Sequence, residues 1–163
     1  MSDLTLNFLS LTEKFSPNHQ LNLLGPEDLV DDLERIFPLD LKNLKLNHSK
    51  YSFLMSDNAG IYDDLIITKI KDGFLIILNA ACKENDFKIL KALLNDKYKM
   101  VLDEERSLIA IQGPKSVQIL KSVIQGVENL NFMSGNWFTL DDHNIYVTSC
   151  LLYTSDAADD WSS

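Results

Sequence analysis

Two adjacent aspartates, Asp63 and Asp64, stand in the stretch NAGIYDDLIITKI at residues 58–70. Neighbouring residues on a strand point to opposite faces, so the two carboxylates cannot serve the same purpose. Lys69 falls on the face of Asp63 and prefers water, which predicts that Asp64 points inward, in line with Thr68. The simpler interpretation is a solvated turn acid at the entrance of a strand, because Asp is a poor strand residue and a good turn residue.

An inward-pointing carboxylate would have a specific chemical use. Burying it without partners raises its pKa or demands hydrogen-bond donors. A ligand with ring N–H or amino groups supplies such donors, and the carboxylate can then also manage the protons of that ligand. Asp64 is therefore the predicted catalytic residue in a site for a nitrogen heterocycle.

The remaining candidates for chemistry are weaker. The histidines His19, His48 and His143 lie far apart in sequence without the spacing of metal ligands, so we predict no metal site. Cys82 follows an apolar strand with no evident histidine partner, which favours a core thiol over a nucleophile. The sequence contains neither of the common glycine-rich phosphate-binding motifs.

The composition limits the functions open to the chain. Its 163 residues suit one domain and carry a formal net charge of −9, which argues against a nucleic-acid partner because phosphates require a basic face. No apolar run approaches the ~20 residues of a membrane span, so we expect no membrane partner. The N-terminus lacks the features of a signal or transit peptide, which predicts a cytoplasmic location.

Helices and strands alternate along the chain in a pattern typical of an α+β fold. Apolar residues at helical spacing predict three amphipathic helices, and short apolar runs between turns predict the strands. Phe74–Leu78 is apolar on both faces, which predicts the central strand of a largely antiparallel sheet with helices packed on it. The predicted helices are 25–37, 83–97 and 113–124, and the predicted strands are 51–55, 65–70, 74–78, 98–103, 107–112, 136–140 and 145–149.

Residues 150–163, CLLYTSDAADDWSS, break this pattern. Their composition changes to small and acidic residues, and CLLYTSDAADD resembles translated sequencing-adapter read-through. An ordinary disordered tail is the alternative. We therefore expect residues 1–149 to form the natural part of the chain and residues 150–163 to be a non-native tail.

Three blocks of sequence carry a resemblance to a known family. Residues 49–87 contain Tyr51, then MSDNAGIYDDLII, then LNAACKENDF, and residues 105–120 read ERSLIAIQGPKSVQIL. Together with the earlier stretch LNLLGPEDLVDDLERIF, and in this order, they resemble the aminomethyltransferase (T-protein) family of the glycine cleavage system. The resemblance covers roughly residues 20–149.

The resemblance implies a folate-binding domain and a one-carbon transferase. Members of the family transfer a methylene unit from the aminomethyl-lipoyl arm of the H-protein to tetrahydrofolate and release ammonia. The key carboxylate of the family maps to Asp64, which would hold the pterin and assist proton movement at the folate nitrogen. Tyr51 and Asn79 match positions that line the tetrahydrofolate cavity, and Thr68 stands where relatives can carry a tyrosine.

Two family segments are not intact in this sequence. A Ser-His-Met-Gly stretch would fall near residues 15–20, and a glycine-rich segment expected after residue 149 is replaced by the tail. We therefore expect this chain to be inactive by itself.

Two alternatives to the aminomethyltransferase stay open. Another folate-dependent demethylase of the same superfamily, such as dimethylsulfoniopropionate demethylase, would share the same domain. A non-enzymatic folate-binding module would tolerate Asp64→Asn without loss of function, whereas a folate enzyme should not.

Overall fold

The computed structural model describes residues 8–11, 20–26, 28–103, 107–111 and 113–149 of the chain. These residues belong to two compact units, one within residues 11–108 and the other made of residues 8–10 and 109–149. The predicted non-native tail at residues 150–163 lies outside the described residues, as does His19.

The chain order of the elements mixes strands with helices. The strands are β1 Phe8–Leu11, β2 Gln20–Leu24, β3 Ser49–Met55, β4 Ile61–Ile70, β5 Gly73–Ile77, β6 Lys99–Leu102, β7 Ser107–Ile109, β8 Ser134–Leu140 and β9 His143–Ser149. The helices are α1 Asp28–Ile36, α2 Lys83–Leu93 and α3 Ser116–Val123, and a short 3-10 turn covers Val127–Asn129. Across the described part of the chain, no helix has the length and apolar character needed to cross a membrane.

Five strands of the larger unit form one sheet in the order β3-β4-β5-β2-β6. Every neighbouring pair in this sheet is antiparallel. β5 lies in the middle of the order, which confirms the predicted central strand at residues 74–78. The predicted α+β class, a largely antiparallel sheet with packed helices, is also confirmed.

One face of the five-stranded sheet carries the core of the larger unit. Leu21 and Leu23 of β2 are fully buried there in one cluster with Leu29, Leu33 and Leu90 from the helices. The spacing of Leu29 and Leu33 puts both side chains on the same side of α1, so one helix face meets the sheet. Burial of each such side chain contributes ~1.5–3 kcal/mol to stability.

Helix α1 begins a few residues later than the sequence predicts. The Leu29 N–H donates to the Pro26 carbonyl at 3.0 Å, so the Gly25-Pro26 opening forms a turn rather than the first helical residues. The last helical bond runs from the Phe37 N–H to the Leu33 carbonyl at 2.8 Å. Pro38 follows and ends the helix, since it has no N–H to donate.

A second sheet has the order β7-β1-β9-β8, and its strands β8 and β9 lie in the smaller unit. β8 and β9 form the hairpin that the sequence predicts, connected by Asp141 and Asp142 with φ values of 46° and 65°. Aspartate tolerates this left-handed region better than most residues, which suits it to a two-residue hairpin turn. Ile145 and Val147 of β9 are fully buried, so this unit has an apolar interior of its own.

Candidate functional site

The acid pair lies inside strand β4 and not at its entrance. β4 begins at Ile61, and Asp63 and Asp64 pair with Leu54 and Phe53 of β3. The sequence-based boundary at residue 65 was wrong because the ladder to β3 outweighs the poor strand preference of aspartate. Pairing with β3 therefore fixes the direction of both carboxylates.

The prediction that Asp64 points inward and Asp63 outward was wrong, because Asp63 is the residue on the core face of β4. Asp63 is 8% exposed and shares the core face with Leu65 and Ile67, whereas Asp64 is half-buried on the other face. The prediction relied on Lys69, but a long lysine side chain at the end of a strand can lie along apolar surface and still reach water. Asp64 thus faces a partly exposed surface of the sheet rather than the interior.

Asp64 is nevertheless bonded to two of the residues predicted to share its site. The Tyr51 hydroxyl donates to Asp64 Oδ2 at 3.0 Å, and the Asn79 amide Nδ2 donates to Asp64 Oδ1 at 3.0 Å. Tyr51 comes from β3, and Asn79 follows the end of β5, so three segments meet at one carboxylate. With a donor on each oxygen, the orientation of the carboxylate is set.

Asn79 connects the two neighbouring aspartates. Its Nδ2 also donates to Asp63 Oδ1 at 2.8 Å and lies 3.1 Å from the Asp64 carbonyl oxygen. Carboxylates and carbonyls only accept hydrogen bonds at neutral pH, so the amide nitrogen is the atom that fits between them. The side chain that orients Asp64 is therefore itself held from the core side of the sheet.

Thr68 occupies the predicted face but not an accessible position. It is 1% exposed, and its hydroxyl lies 2.8 Å from the Ser49 hydroxyl on the neighbouring strand. The alternation along β4 places it in line with Asp64, as expected, yet its burial leaves no surface to offer a ligand. Its predicted contact with the cofactor is therefore corrected to a bond between β3 and β4.

A third aspartate, which sequence reasoning missed, lies next to Asp63. Asp86 in the first turn of α2 is 0% exposed. Burial, followed by the hydrogen bond and the charge of Asp63, raises the pKa of Asp86 to about 7. The available signal was its spacing, because Asp86 is in helical phase with the buried Leu90 and Leu94.

The thiol of Cys82 is close to the same carboxylates. The charge of Asp63, then burial, then the charges of Asp86 and Asp64 raise the pKa of Cys82 above its usual value. A thiol held protonated is a weak nucleophile. This electrostatic environment supports the interpretation of Cys82 as an unreactive thiol, although the side chain is half-buried rather than part of the core.

The sequence predicts no metal site. In the part of the chain that the structure describes, no group of three or more histidine, cysteine, aspartate or glutamate side chains is placed to hold a metal ion. The imidazole of His48 contacts the backbone, with its Nδ1 3.0 Å from the Leu46 carbonyl oxygen.

A concave region of about 520 Å³ lies elsewhere in the larger unit. No residue of the predicted site lines it. Acidic and basic side chains both border it, so it has no single charge preference. Its lining residues are Asp28, Val30, Asp31, Lys42 and Lys69.

The match to a protein-family model covers residues 15–158, and the model is described as the GCVT N-terminal domain. This chain belongs to the GCVT N-terminal domain family. The resemblance to the aminomethyltransferases of the glycine cleavage system, drawn from the DDL, NA and QGP segments, is thereby confirmed. Relatives of this chain include proteins named aminomethyltransferase, which makes it a member of a family that contains transferases.

The relatives of this GCVT-family chain are considerably longer proteins. The mitochondrial aminomethyltransferase of Dictyostelium discoideum is 34% identical over 145 residues, which cover 80% of this chain and 35% of that protein. The mitochondrial aminomethyltransferase of Homo sapiens is 32% identical over 133 residues, covering 74% of this chain and 32% of that protein. The chain thus spans about a third of the length of these relatives.

A solved structure supports the fold of this GCVT-family chain. The glycine cleavage system aminomethyltransferase T from Bartonella henselae matches with a TM-score of 0.56 and 24% sequence identity. The match covers 89% of this chain and 40% of that chain. At this level of identity, the likeness is evidence for the fold alone.

Proposed function

We propose that this chain is the folate-binding part of a tetrahydrofolate-dependent aminomethyltransferase of the glycine cleavage system. The complete reaction would transfer a methylene unit from the aminomethyl-lipoyl arm of the H-protein to tetrahydrofolate, with release of ammonia. Family membership and the names of the relatives support this assignment. The observation that carries it is the Asp64 carboxylate with Tyr51 and Asn79 bonded to its two oxygens.

The donor and acceptor chemistry of this arrangement fits a reduced pterin. The pterin ring carries N–H and amino donors, and a carboxylate, with about four lone-pair sites, is a group that accepts hydrogen bonds from several donors at once. Since both oxygens of Asp64 are already oriented, binding does not need to order that side chain. Tyr51 is 38% exposed, so its ring also offers apolar surface beside the carboxylate.

The proposed roles of the residues follow from their chemistry. When bound, tetrahydrofolate supplies the nitrogen that accepts the one-carbon unit. Asp64 would receive or return the proton at that nitrogen, which is general acid–base work for a carboxylate within hydrogen-bond reach. Tyr51 and Asn79 would keep Asp64 in the orientation for that transfer. Thr68 has no direct part, because its hydroxyl is buried against Ser49.

The protein partner and the compartment belong to the proposal as well. A lipoyl-carrying H-protein is the partner that the family reaction requires. The sequence predicts a cytoplasmic location, whereas the Dictyostelium and human relatives are named as mitochondrial proteins. The cytoplasmic location therefore stays a prediction.

Anaerobic titration calorimetry with tetrahydrofolate tests the proposal on the chain as it stands. We expect saturable binding to the wild type and an affinity at least about tenfold weaker for Asp64→Asn, which corresponds to about 1.4 kcal/mol. Asn has the same size but lacks the charge that strengthens hydrogen bonds from the pterin donors. Asp57→Asn is the matched control, since Asp57 is exposed and lies outside the site.

Two results of this titration would contradict the proposal. One is the absence of saturable binding to the folded wild-type chain. The other is an equal affinity of the wild type and Asp64→Asn for tetrahydrofolate, which would also remove Asp64 as the recognition residue.

A further inference from the structure

Two carboxyl groups are buried side by side beneath the proposed folate site. Asp63 is 8% exposed on the core face of β4, and Asp86 is 0% exposed on α2. Within the described residues, Asp63 Oδ2 and both side-chain oxygens of Asp86 have no hydrogen-bond donor. Burying two adjacent ionised carboxylates with three of their four oxygens lacking a donor is very unfavourable, so a shared proton is the simplest way to satisfy the pair.

A proton on the Asp86 carboxyl would allow one hydrogen bond between the two side chains. Asp86 would then donate to Asp63 Oδ2, leaving Asp63 ionised. The other oxygen of Asp63, Oδ1, already accepts from the Asn79 amide at 2.8 Å. That same amide donates to Asp64 Oδ1 at 3.0 Å. With that proton in place, a continuous series of hydrogen bonds would lead from Asp86 of α2 to the Asp64 carboxylate.

We propose that Asp86 is a positioning residue whose protonated carboxyl donates to Asp63 and, through Asp63 and Asn79, holds Asp64 in place for the folate ring. This inference rests on the proposed folate-binding function for its ligand. The claim that a proton on Asp86 sets the orientation of Asn79 does not depend on any ligand. The claim that this orientation favours folate binding does, so an experiment can contradict either claim without the other.

The charges around the pair indicate where the proton is held and when it leaves. Burial is the largest cause of the raised pKa of Asp86, and the charge of Asp63 on β4 adds to it. Together they raise the pKa of Asp86 to about 7. From the turn before α2, Cys82 stays a neutral thiol because the same carboxylates raise its pKa. The other charged side chains of the first turn of α2 are Lys83 and Glu84.

Loss of the proton at and above neutral pH would alter the site. Two adjacent carboxylates repel each other, and Asp63 would lose its donor from the core side. Asn79 would then be free to change its orientation between Asp63 and Asp64. Folate affinity would fall as pH rises through the pKa of Asp86.

Nuclear magnetic resonance on the ligand-free chain tests the claim about Asn79. With carbon-13-labelled aspartate carboxyls, the Asp86 signal should titrate near pH 7, far above the usual value of 3.8. The side-chain NH₂ signals of Asn79 should shift with the same midpoint, and Asp86→Asn should remove that shift. An Asp86 signal that titrates near its usual value, or Asn79 signals that do not follow it, would overturn the inference whatever folate does.

Calorimetry with tetrahydrofolate between about pH 6 and about pH 8 tests the claim about folate binding. The wild-type affinity should fall by about tenfold across this range, beyond any change that the Asp57→Asn control shares with it. Asp86→Asn should bind with little pH dependence, because its amide keeps a donor toward Asp63 that cannot be lost by titration. Asp86→Leu, of similar size but without a donor, should bind weakly at every pH.

The outcomes separate the two proposals. Folate binding with an identical pH profile in the wild type and Asp86→Asn would overturn the positioning role while leaving the folate assignment intact. A correct Asp86 titration with coupled Asn79 signals but no folate binding would support the proton-linked positioning of Asn79 and contradict the proposed function. If Asp86→Leu fails to fold, the comparison with Asp86→Asn still decides the question.

Discussion

Asp63 and Asp64 are chemically identical neighbours that the fold places in different environments. Strand alternation sends Asp63 to the core face, beside Asp86, and Asp64 to the partly exposed face, beside Tyr51. The first can share a buried proton, and the second can accept hydrogen bonds from a ligand. Their different chemistry therefore comes from packing and not from residue type.

The Tyr51 hydroxyl contributes one hydrogen bond to the proposed site, and the effect of removing that bond can be measured. Tyr51→Phe removes the donor to Asp64 Oδ2 and should weaken tetrahydrofolate binding by about tenfold, since a hydrogen bond to a charged group contributes about 1.5 kcal/mol. Calorimetry measures the loss. Tyr62→Phe is the matched control, because Tyr62 is an exposed tyrosine of the same sheet and has no role in the proposed site. Equal affinities for the two variants would contradict the prediction.

The raised pKa of Asp86 predicts an unusual dependence of stability on pH. The folded state keeps the Asp86 proton to about pH 7, whereas an unfolded aspartate loses it near 3.8. Between these two pH values the folded state binds more protons than the unfolded state. The contribution of Asp86 to the free energy of unfolding is therefore present in full below pH 3.8 and is lost as pH rises toward about 7. Asp32 and Asp40, whose pKa values are lowered, change stability in the opposite direction.

Urea unfolding of the wild type and Asp86→Asn at several pH values isolates this contribution. The carboxylates with lowered pKa are common to both proteins and cancel in the difference. We expect the free energy of unfolding of the wild type to fall relative to that of Asp86→Asn as pH rises from about 4 to about 7. A difference that does not change with pH would show that Asp86 titrates normally.

At the scale of elements, the turn into β5 depends on the absence of a side chain at Gly73. Its φ is 154°, and an added Cβ would lie 2.1 Å from the Leu23 carbonyl oxygen of β2. That oxygen belongs to the backbone of the neighbouring strand and cannot move without disturbing the centre of the sheet. The close approach of β2 and β5 therefore requires glycine here.

Gly73→Ala should destabilise the larger unit by about 2–4 kcal/mol, from backbone strain and the steric clash together. Chemical denaturation followed by a probe of the five-stranded sheet measures this change. Gly113→Ala is the control, because Gly113 also has a positive φ of 110° but nothing lies within 4 Å of its added Cβ. A Gly73→Ala chain no less stable than Gly113→Ala would show that the clash is relieved by local movement.

Most elements were predictable from sequence, whereas the two strands nearest the N-terminus, β1 and β2, were not. The helical spacing in α1 and α2 and the hairpin of β8 and β9 follow the expected patterns. β2 was missed, although Gln20–Leu24 alternates polar and apolar residues over its first four positions. Such a short alternation is ambiguous alone. β2 is a strand because β5 and β6 pair with it on both sides.

At the scale of the whole molecule, the chain spans about a third of the length of its aminomethyltransferase relatives. We expect the purified chain to bind tetrahydrofolate but not to form methylenetetrahydrofolate from an aminomethyl-lipoyl substrate. The physical reason is that catalysis requires both substrates to be oriented together, and the proposed site accounts for the folate alone. A product assay with aminomethyl-lipoyl H-protein checks this, and detectable turnover would contradict it.

The sequence by itself determined the family, the α+β class and the central strand, and it singled out Tyr51, Asp64 and Asn79, which the structure brings together. These follow from local patterns: alternation, helical period and the DDL, NA and QGP segments. Tertiary structure alone decided which aspartate is buried, that Thr68 is inaccessible and that Asp86 lies against Asp63. The physical reason is that the environment of a face depends on what packs against it, and those contacts join segments distant in sequence.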